Sequence, residues 1–201
     1  MYCEEKSCCT NIKNMDKNNL SIIRQQFAQC VFTHKVLEKA SDRLEKVNAK
    51  IKWANVIILA FVVVFLVLPI RFPEYSFLND IAIAITVFEI LFVYFQKEFS
   101  FEEKAKDHKK FALKFLELRD KYKNFIVDIT NGLDSEETRT KRDLLQEQYQ
   151  IISSLSPQTE YIDYKEAQLA LLGKNISDEE FTWSDKEIDR FLPKELRFEE
   201  D

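Results

Sequence analysis

An uncharged stretch of 18 residues, WANVIILAFVVVFLVLPI, runs from Trp53 to Ile70. As an α-helix it would span about 27 Å, close to the roughly 30 Å thickness of the hydrocarbon core of a bilayer. Lys52 and Arg71 bracket the stretch, and Trp53 lies at its edge, as residues at a membrane interface do. The alternative is a helix buried in the core of a soluble protein. The flanking residues favour a transmembrane helix at 53–70.

A second apolar stretch, IAIAITVFEILFVYF, covers Ile81 to Phe95 and predicts a second span at 77–96. The residues between the two stretches, from Arg71 to Asp80, include Pro73 and several polar side chains. This connection is too short to hold a domain. We therefore expect the two spans to form a hairpin.

Basic residues flank the hairpin on both sides, whereas Arg71 is the only one in the loop. The positive-inside rule therefore predicts that both long flanks, with both termini, lie in the cytoplasm. The flanking basic residues are Lys35, Lys39, Arg43, Lys46, Lys50 and Lys52 before the hairpin and Lys97, Lys104, Lys106, Lys109 and Lys110 after it.

Helical patterns fill most of the remaining chain, and two glycines and four prolines in 201 residues leave little material for sheets and tight turns. The predicted class is an all-α membrane protein, with a two-helix transmembrane hairpin flanked by long cytoplasmic helices in a bundle or coiled coil. The predicted regions are a flexible N-terminal tail at 1–19, a cytoplasmic amphipathic helix at 20–52, the hairpin at 53–96, a cytoplasmic helical region at 97–172 and a C-terminal extension at 173–201.

Apolar residues recur at helical spacing on both sides of the hairpin and predict a helix seam. The helix after the second span is predicted to continue without a break from Gln96 to about Thr130. Because the hairpin returns the chain to the same membrane face, the simplest packing is antiparallel within one chain, although the same seam could equally pair subunits. The seam residues are Leu37, Ala40, Leu44, Val47 and Ile51 before the hairpin and Phe111, Phe115, Leu118, Tyr122, Phe125 and Ile129 after it.

Capping signals divide the C-terminal part into shorter helices. Asn131 and Gly132 end one helix, and Asp134 and Ser135 begin the next, which runs to about Leu155. Its predicted apolar face comprises Leu144, Leu145, Tyr149 and Ile152. A helix at 161–172 ends before Gly173, and Ser184 with Glu187 has capping-box spacing ahead of Ile188 and Phe191.

Composition and motifs argue against several functions. The net charge of -5, with no basic patch outside the membrane flanks, argues against direct nucleic-acid binding. A glycine-rich phosphate loop and a GxSxG motif are both missing from the sequence, so we expect neither an enzyme nor a cofactor. His34 and His108 have no metal-ligand spacing. Cys3, Cys8, Cys9 and Cys30 predict reduced thiols, with metal binding or lipidation of the first three as the alternative.

Glu89 is the one acid in the apolar stretch from Ile81 to Phe95. A carboxylate near the centre of a bilayer costs at least about 2.5 kcal/mol and is expected to face protein or water. A pore-lining or assembly role is predicted, in which a ring of glutamates favours cations. The alternative is a packing contact with Asn55 or a backbone carbonyl, although Asn55 lies near the cytoplasmic end of its span. The candidate stripe comprises Ala82, Thr86, Glu89, Val93 and Gln96.

The order of these parts resembles the SLATT family of two-transmembrane effector domains. The resemblance covers roughly residues 30–172 and leaves out the chain from Lys174 onward. The residues that carry it are His108, Ala112, Leu116 and Tyr122 on the long helix and Ser156, Pro157, Thr159, Asp163 and Tyr164 in SPQTEYIDY.

The resemblance implies an effector of bacterial antiviral defence. In that reading the hairpin oligomerises and permeabilises the inner membrane, causing growth arrest or death by abortive infection. Its activator is a partner sensor such as a nucleotide second-messenger synthase or a reverse transcriptase. The alternatives are a non-conducting scaffold that recruits a partner protein, and an enzyme subunit or ligand receptor with its site among the C-terminal helices.

Overall fold

The computed structural model describes residues 4–173 and 183–198, with side chains from residue 18 onward in those ranges. Every regular element in these ranges is helical, and the predicted all-α class with a two-helix hairpin is confirmed. The elements are α1 (Glu4–Arg71), α2 (Phe77–Phe99), α3 (Phe101–Thr130), α4 (Ser135–Leu155), α5 (Tyr161–Leu172) and α6 (Asp185–Asp189), with short 3-10 helices at Pro73–Tyr75 and Lys194–Leu196.

Helix α1 begins at Glu4, inside the segment for which the sequence predicts a tail. It then continues through the predicted boundary at residue 52 into the first span. The chain from 4 to 52 contains no glycine or proline, so nothing in it breaks a helix. Extending an existing helix costs far less than starting one, which explains why polar composition alone does not end α1.

The chain divides into two compact units. The hairpin unit is Ser41–Asp107, and the helical unit consists of Met1–Ala40 with His108–Asp201. In the hairpin unit, two helices are long and apolar enough to cross a membrane. Their most apolar windows are only 11% and 6% buried, whereas the core helix of a soluble protein would be mostly covered. This exposure favours the membrane assignment.

A one-residue break separates α2 from α3, so the predicted uninterrupted helix is wrong at Ser100. Ser100 adopts the left-handed conformation, with φ 41° and ψ 46°. In a straight helix, residues two apart point about 200° away from each other. The break instead lets the rings of Phe99 and Phe101 stack, with centroids 6.0 Å apart and planes 16° from parallel.

The core of the helical unit gathers apolar residues from distant parts of the chain. Phe27 of α1, Phe115 of α3 and Leu145 of α4 are buried together with Ile188 and Leu192 of the C-terminal segment (183–198). Leu144, predicted to share the buried face of α4, is instead 55% exposed. The next residue along a helix is rotated by about 100°, and Leu145 occupies the inward position.

The predicted helix ends in this unit are confirmed. Gly132 has a positive φ of 95°, and the Asp134 side chain accepts a hydrogen bond from the backbone N–H of Glu136 at 3.1 Å. Ser184 and Glu187 form the capping box expected from their spacing. Local chemistry therefore determines where these helices begin and end.

Candidate functional site: the polar stripe of the hairpin

The candidate stripe lies on the side of α2 that faces α1 within the hairpin unit. Ala82 is completely buried, and Thr86, Glu89 and Gln96 are half-buried, whereas Val93 is 48% exposed. The Thr86 hydroxyl donates to the Ala82 carbonyl at 2.8 Å and is therefore satisfied within its own helix. The opposite face of α2 is exposed at Ile83, Val87, Ile90, Leu91 and Tyr94, as lipid-facing residues would be.

Asn55 and Gln96 join the two spans through a reciprocal pair of hydrogen bonds. Each side-chain amide donates to the oxygen of the other at 3.1 Å. The sequence suggested a contact between Glu89 and Asn55 as an alternative, but the side chain of Asn55 bonds Gln96 instead. Both amides lie at the same end of the hairpin, where the first span begins and the second ends. Gln96, a candidate pore residue, therefore makes an inter-helix contact in the single chain.

Glu89 is half-buried on the stripe between Thr86 and Val93. Among the residues that the structure describes, it forms no hydrogen bond and no ion pair. An acid inside a membrane span usually finds a protein group or water. The described part of the single chain therefore supplies no protein partner for the carboxyl group of Glu89.

Polar contacts also join α1 to α3 where the spans end. The Glu102 carboxylate accepts hydrogen bonds from Lys106 and Lys52, each at 2.8 Å. These bonds, that of Lys106 foremost, lower the pKa of Glu102 from 4.5 to about 2. The Ser41 hydroxyl donates to the Ala105 carbonyl at 2.9 Å. The two helices are thus paired inside the hairpin unit at the exit of the spans.

The predicted seam residues fall into both units and pack within one chain. In the helical unit, Leu37, Phe115, Leu118, Tyr122 and Phe125 are at most 3% exposed, and Phe111 packs against them. In the hairpin unit, Leu44 is buried, and Val47 and Ile51 are half-buried.

His34 and Cys30 lie inside the helical unit, where their contacts and burial indicate structural roles. The Nδ1 atom of His34 lies 2.9 Å from the Ala112 carbonyl, within hydrogen-bond distance. Burial raises the pKa of the Cys30 thiol to about 12, so this cysteine is not a reactive thiolate at neutral pH. Cys3, Cys8 and Cys9 lie outside the residues whose side chains are described.

The residues that carry the family resemblance contribute to packing and capping. His108, Ala112 and Tyr122 are buried on α3. Asp163 is 1% exposed and accepts a hydrogen bond from the backbone N–H of Glu160 at 3.0 Å, which closes the capping box of α5. Tyr164 packs edge-on against Phe32, with ring centroids 5.0 Å apart.

The sequence did not reveal how the C-terminal segment binds α1. Arg24 is 1% exposed and donates hydrogen bonds to Asp189 and to the Leu196 carbonyl, the latter at 2.8 Å. Its guanidinium carbon lies 3.8 Å from the ring centroid of Phe198. The only local signal was the capping box at Ser184, which predicted a helix without predicting its contact.

Comparison with known families covers more of the chain, at both ends, than the resemblance found from the sequence. The model of SMODS and SLOG-associating 2TM effector domain family 4 matches residues 20–187, beyond the 30–172 covered by the resemblance, and includes Arg24 and most of the α6 turn. Neither the curated proteins nor the solved structures provide a match. The match covers most of the chain and agrees with its two candidate spans. The chain therefore belongs to SMODS and SLOG-associating two-transmembrane effector domain family 4, a family of effectors in bacterial antiviral conflict systems.

Proposed function

We propose that this effector oligomerises in the bacterial inner membrane and permeabilises it when a partner sensor is activated, which arrests or kills the cell. Glu89 carries the proposal, because its carboxyl group lies within a span and has no partner among the described residues of the single chain. Water or an equivalent face of neighbouring copies can supply that partner. The sensor is a protein such as a nucleotide second-messenger synthase or a reverse transcriptase.

The contacts of the stripe support a resting state that does not conduct. Ala82 is completely buried, and Gln96 is bonded to Asn55. Opening would rotate α2, separate this amide pair and turn Glu89 towards water shared by several copies. A ring of carboxylates would then attract cations into the pore. The basic flanks support an orientation with both termini in the cytoplasm.

The second candidate function is a non-conducting anchor for a scaffold. The same amide pair and the burial of Ala82 favour it, because they give part of the polar stripe a packing role inside the hairpin. In a scaffold the cytoplasmic helices would recruit the partner protein without a pore. Glu89 itself distinguishes the two candidates, since an anchor needs no acid at this position.

Glu89→Gln tests the proposal in a bacterial host that expresses the full chain and its activator. The wild type is expected to depolarise the membrane, measured with a potential-sensitive dye and by ion substitution. Glu89→Gln should reduce the cation preference or the toxicity, because it removes the charge while keeping the size.

Glu98→Gln is the matched control, since Glu98 is an exposed acid on the same helix outside the predicted span. Equal conductance and equal toxicity for the wild type and Glu89→Gln would contradict the role of Glu89 as a pore-lining or assembly residue. Absence of depolarisation together with co-purification of one partner protein would favour the scaffold.

A further inference from the structure

Two neighbouring grooves in the helical unit are lined by basic side chains from distant parts of the chain. The first, of about 390 Å³, lies between Arg119 and Lys123 of α3 and Arg190 of the C-terminal segment. The second, of about 580 Å³, is lined by Lys186, Arg190 and Arg197, and also by Asp189 and Phe198. Arg190 contributes to both. We call the five basic residues and the two grooves they line the basic groove.

Most of these positive charges have no carboxylate partner in the part of the chain that the structure describes. Lys123, Lys186 and Arg190 form no ion pair with any residue that the structure describes. Arg119 pairs with Asp120 at 2.7 Å, and the nearby Asp189 is bonded to the buried Arg24. The sequence predicted no basic patch away from the membrane flanks. The patch arises because folding brings two separate segments together in a chain whose net charge is -5.

The first part of the groove has an apolar lining beside its cations. Phe27 and Leu192 are buried beneath it, Phe191 is half-buried and Pro193 is exposed. Its volume falls within the roughly 300–1,000 Å³ typical of small-molecule sites. Arginine matches phosphate oxygens with its planar fork and also stacks on flat rings. Cations next to an apolar wall therefore suit a ligand with both phosphate and a ring.

We propose that the basic groove binds a ligand that carries both phosphate groups and a flat aromatic ring, the chemistry of a nucleotide. The phosphates would lie among Lys123, Arg190 and Arg197, and the ring against Phe191 and Pro193. Because the groove exists only where the C-terminal segment meets α1 and α3, the ligand holds that segment in place. This inference does not depend on pore formation.

Fluorescence anisotropy of N-methylanthraniloyl-ADP, titrated with the full-length protein in neutral detergent, tests the site. Arg190→Gln and Lys123→Gln are each expected to raise the Kd about tenfold, the effect of losing a charge-assisted hydrogen bond. The matched controls are Arg139→Gln and Lys110→Gln, two exposed cations elsewhere in the helical unit. These controls should bind like the wild type. Absence of saturable binding, or equal losses in the control variants, overturns the proposal.

Competition experiments identify which part of the ligand is recognised. ADP is expected to displace the probe at lower concentration than pyrophosphate or glycerol 3-phosphate, because only ADP adds a ring to the phosphates. Equal displacement by pyrophosphate overturns the role of the apolar wall. Equal displacement by glycerol 3-phosphate does the same and points to a lipid headgroup as the source of the phosphate.

Discussion

At the scale of single residues, Arg24 joins α1 to the C-terminal segment. Its guanidinium group is 1% exposed and bonds Asp189, whose side chain is 15% exposed. Removing one partner of a buried ion pair leaves the other charge uncompensated, at a cost of about 3–5 kcal/mol. The docking of the segment should therefore depend strongly on Asp189.

Asp189→Asn is expected to lower the free energy of unfolding by about 2–4 kcal/mol, because a neutral amide can accept a hydrogen bond but cannot balance the charge. Denaturant titration in detergent measures the change, and limited proteolysis reports release of the segment. Asp185→Asn is the matched control, since its carboxylate lies 3.7 Å from Arg24 and is 57% exposed. Equal losses in the two variants would show that Asp189 is not the dominant partner of Arg24.

The carboxylate of Glu102 gives a pH prediction. Its pKa is lowered from 4.5 to about 2 by hydrogen bonds from Lys106 and Lys52. A lowered pKa means that the stabilisation is complete above pH 4.5 and is lost as the pH falls towards 2. The effect is small and sensitive to salt because all three side chains are exposed.

Unfolding temperatures of the wild type and Glu102→Gln, measured from about pH 7 to pH 2, check this prediction. The advantage of the wild type should be constant at neutral pH and shrink in acid. Glu103→Gln is the control, since Glu103 forms no ion pair among the described residues. A difference that persists unchanged at the lowest pH would be inconsistent with the ion pairs of Glu102.

At the scale of elements, the amide pair of Asn55 and Gln96 sets the register of α1 against α2. Polar contacts between membrane helices contribute about 0.6 kcal/mol on average and up to about 1.7 kcal/mol. Here two hydrogen bonds of 3.1 Å act together, so a value in the upper part of that range is expected.

A double-mutant cycle of Asn55→Ala and Gln96→Ala measures this coupling. Each single change should lower hairpin stability in detergent, and the double variant should lose less than the sum of the two, by about 1 kcal/mol. Asn79→Ala is a control at an exposed position of α2. Additive losses would mean that the two amides do not stabilise each other. If the pair also holds the stripe closed, either single variant should increase toxicity.

Local signals predicted some features of these elements and missed others. The uncharged length of each span predicted the hairpin, and Gly132 and Asp134 predicted the ends of their helices. The break at Ser100 had no such signal, because serine rarely adopts a positive φ and no glycine or proline is nearby. The break accompanies the stacking of Phe99 on Phe101, a contact that a helical pattern does not encode.

At the scale of the whole molecule, the sequence predicted which residues form the candidate site but not which residues they contact. Spacing alone placed Glu89 on one face with Ala82 and Gln96. Which helix that face meets depends on how α2 is rotated against α1, and the bond from Gln96 to Asn55 spans 41 positions of sequence. The docking of Arg24 on Asp189 spans 165 positions. A linear pattern carries no information about such pairings.

The C-terminal segment, predicted as an extension, completes the core of the helical unit. Leu192 is 2% exposed and Ile188 is 1% exposed, and both belong to the cluster that contains Phe27 and Phe115. Leu192→Ala is therefore expected to cost about 2–5 kcal/mol of unfolding free energy by leaving a cavity, measured by denaturant titration. Lys194→Ala, two residues away and exposed, should change it by less than about 0.5 kcal/mol.

Equal stability of Leu192→Ala and the wild type would mean that the segment is not part of the core. The loss expected for Leu192→Ala has a consequence for ligand binding, because Leu192 also lies under the first part of the basic groove. Leu192→Ala should therefore weaken binding of the ADP probe although it removes no charge, whereas Lys194→Ala should not. A ligand that holds the segment in place should in turn restore part of the stability that Leu192→Ala loses, since binding to the folded state alone stabilises it. Failure of a saturating ligand to raise the unfolding temperature of this variant would separate the groove from the docking of the segment.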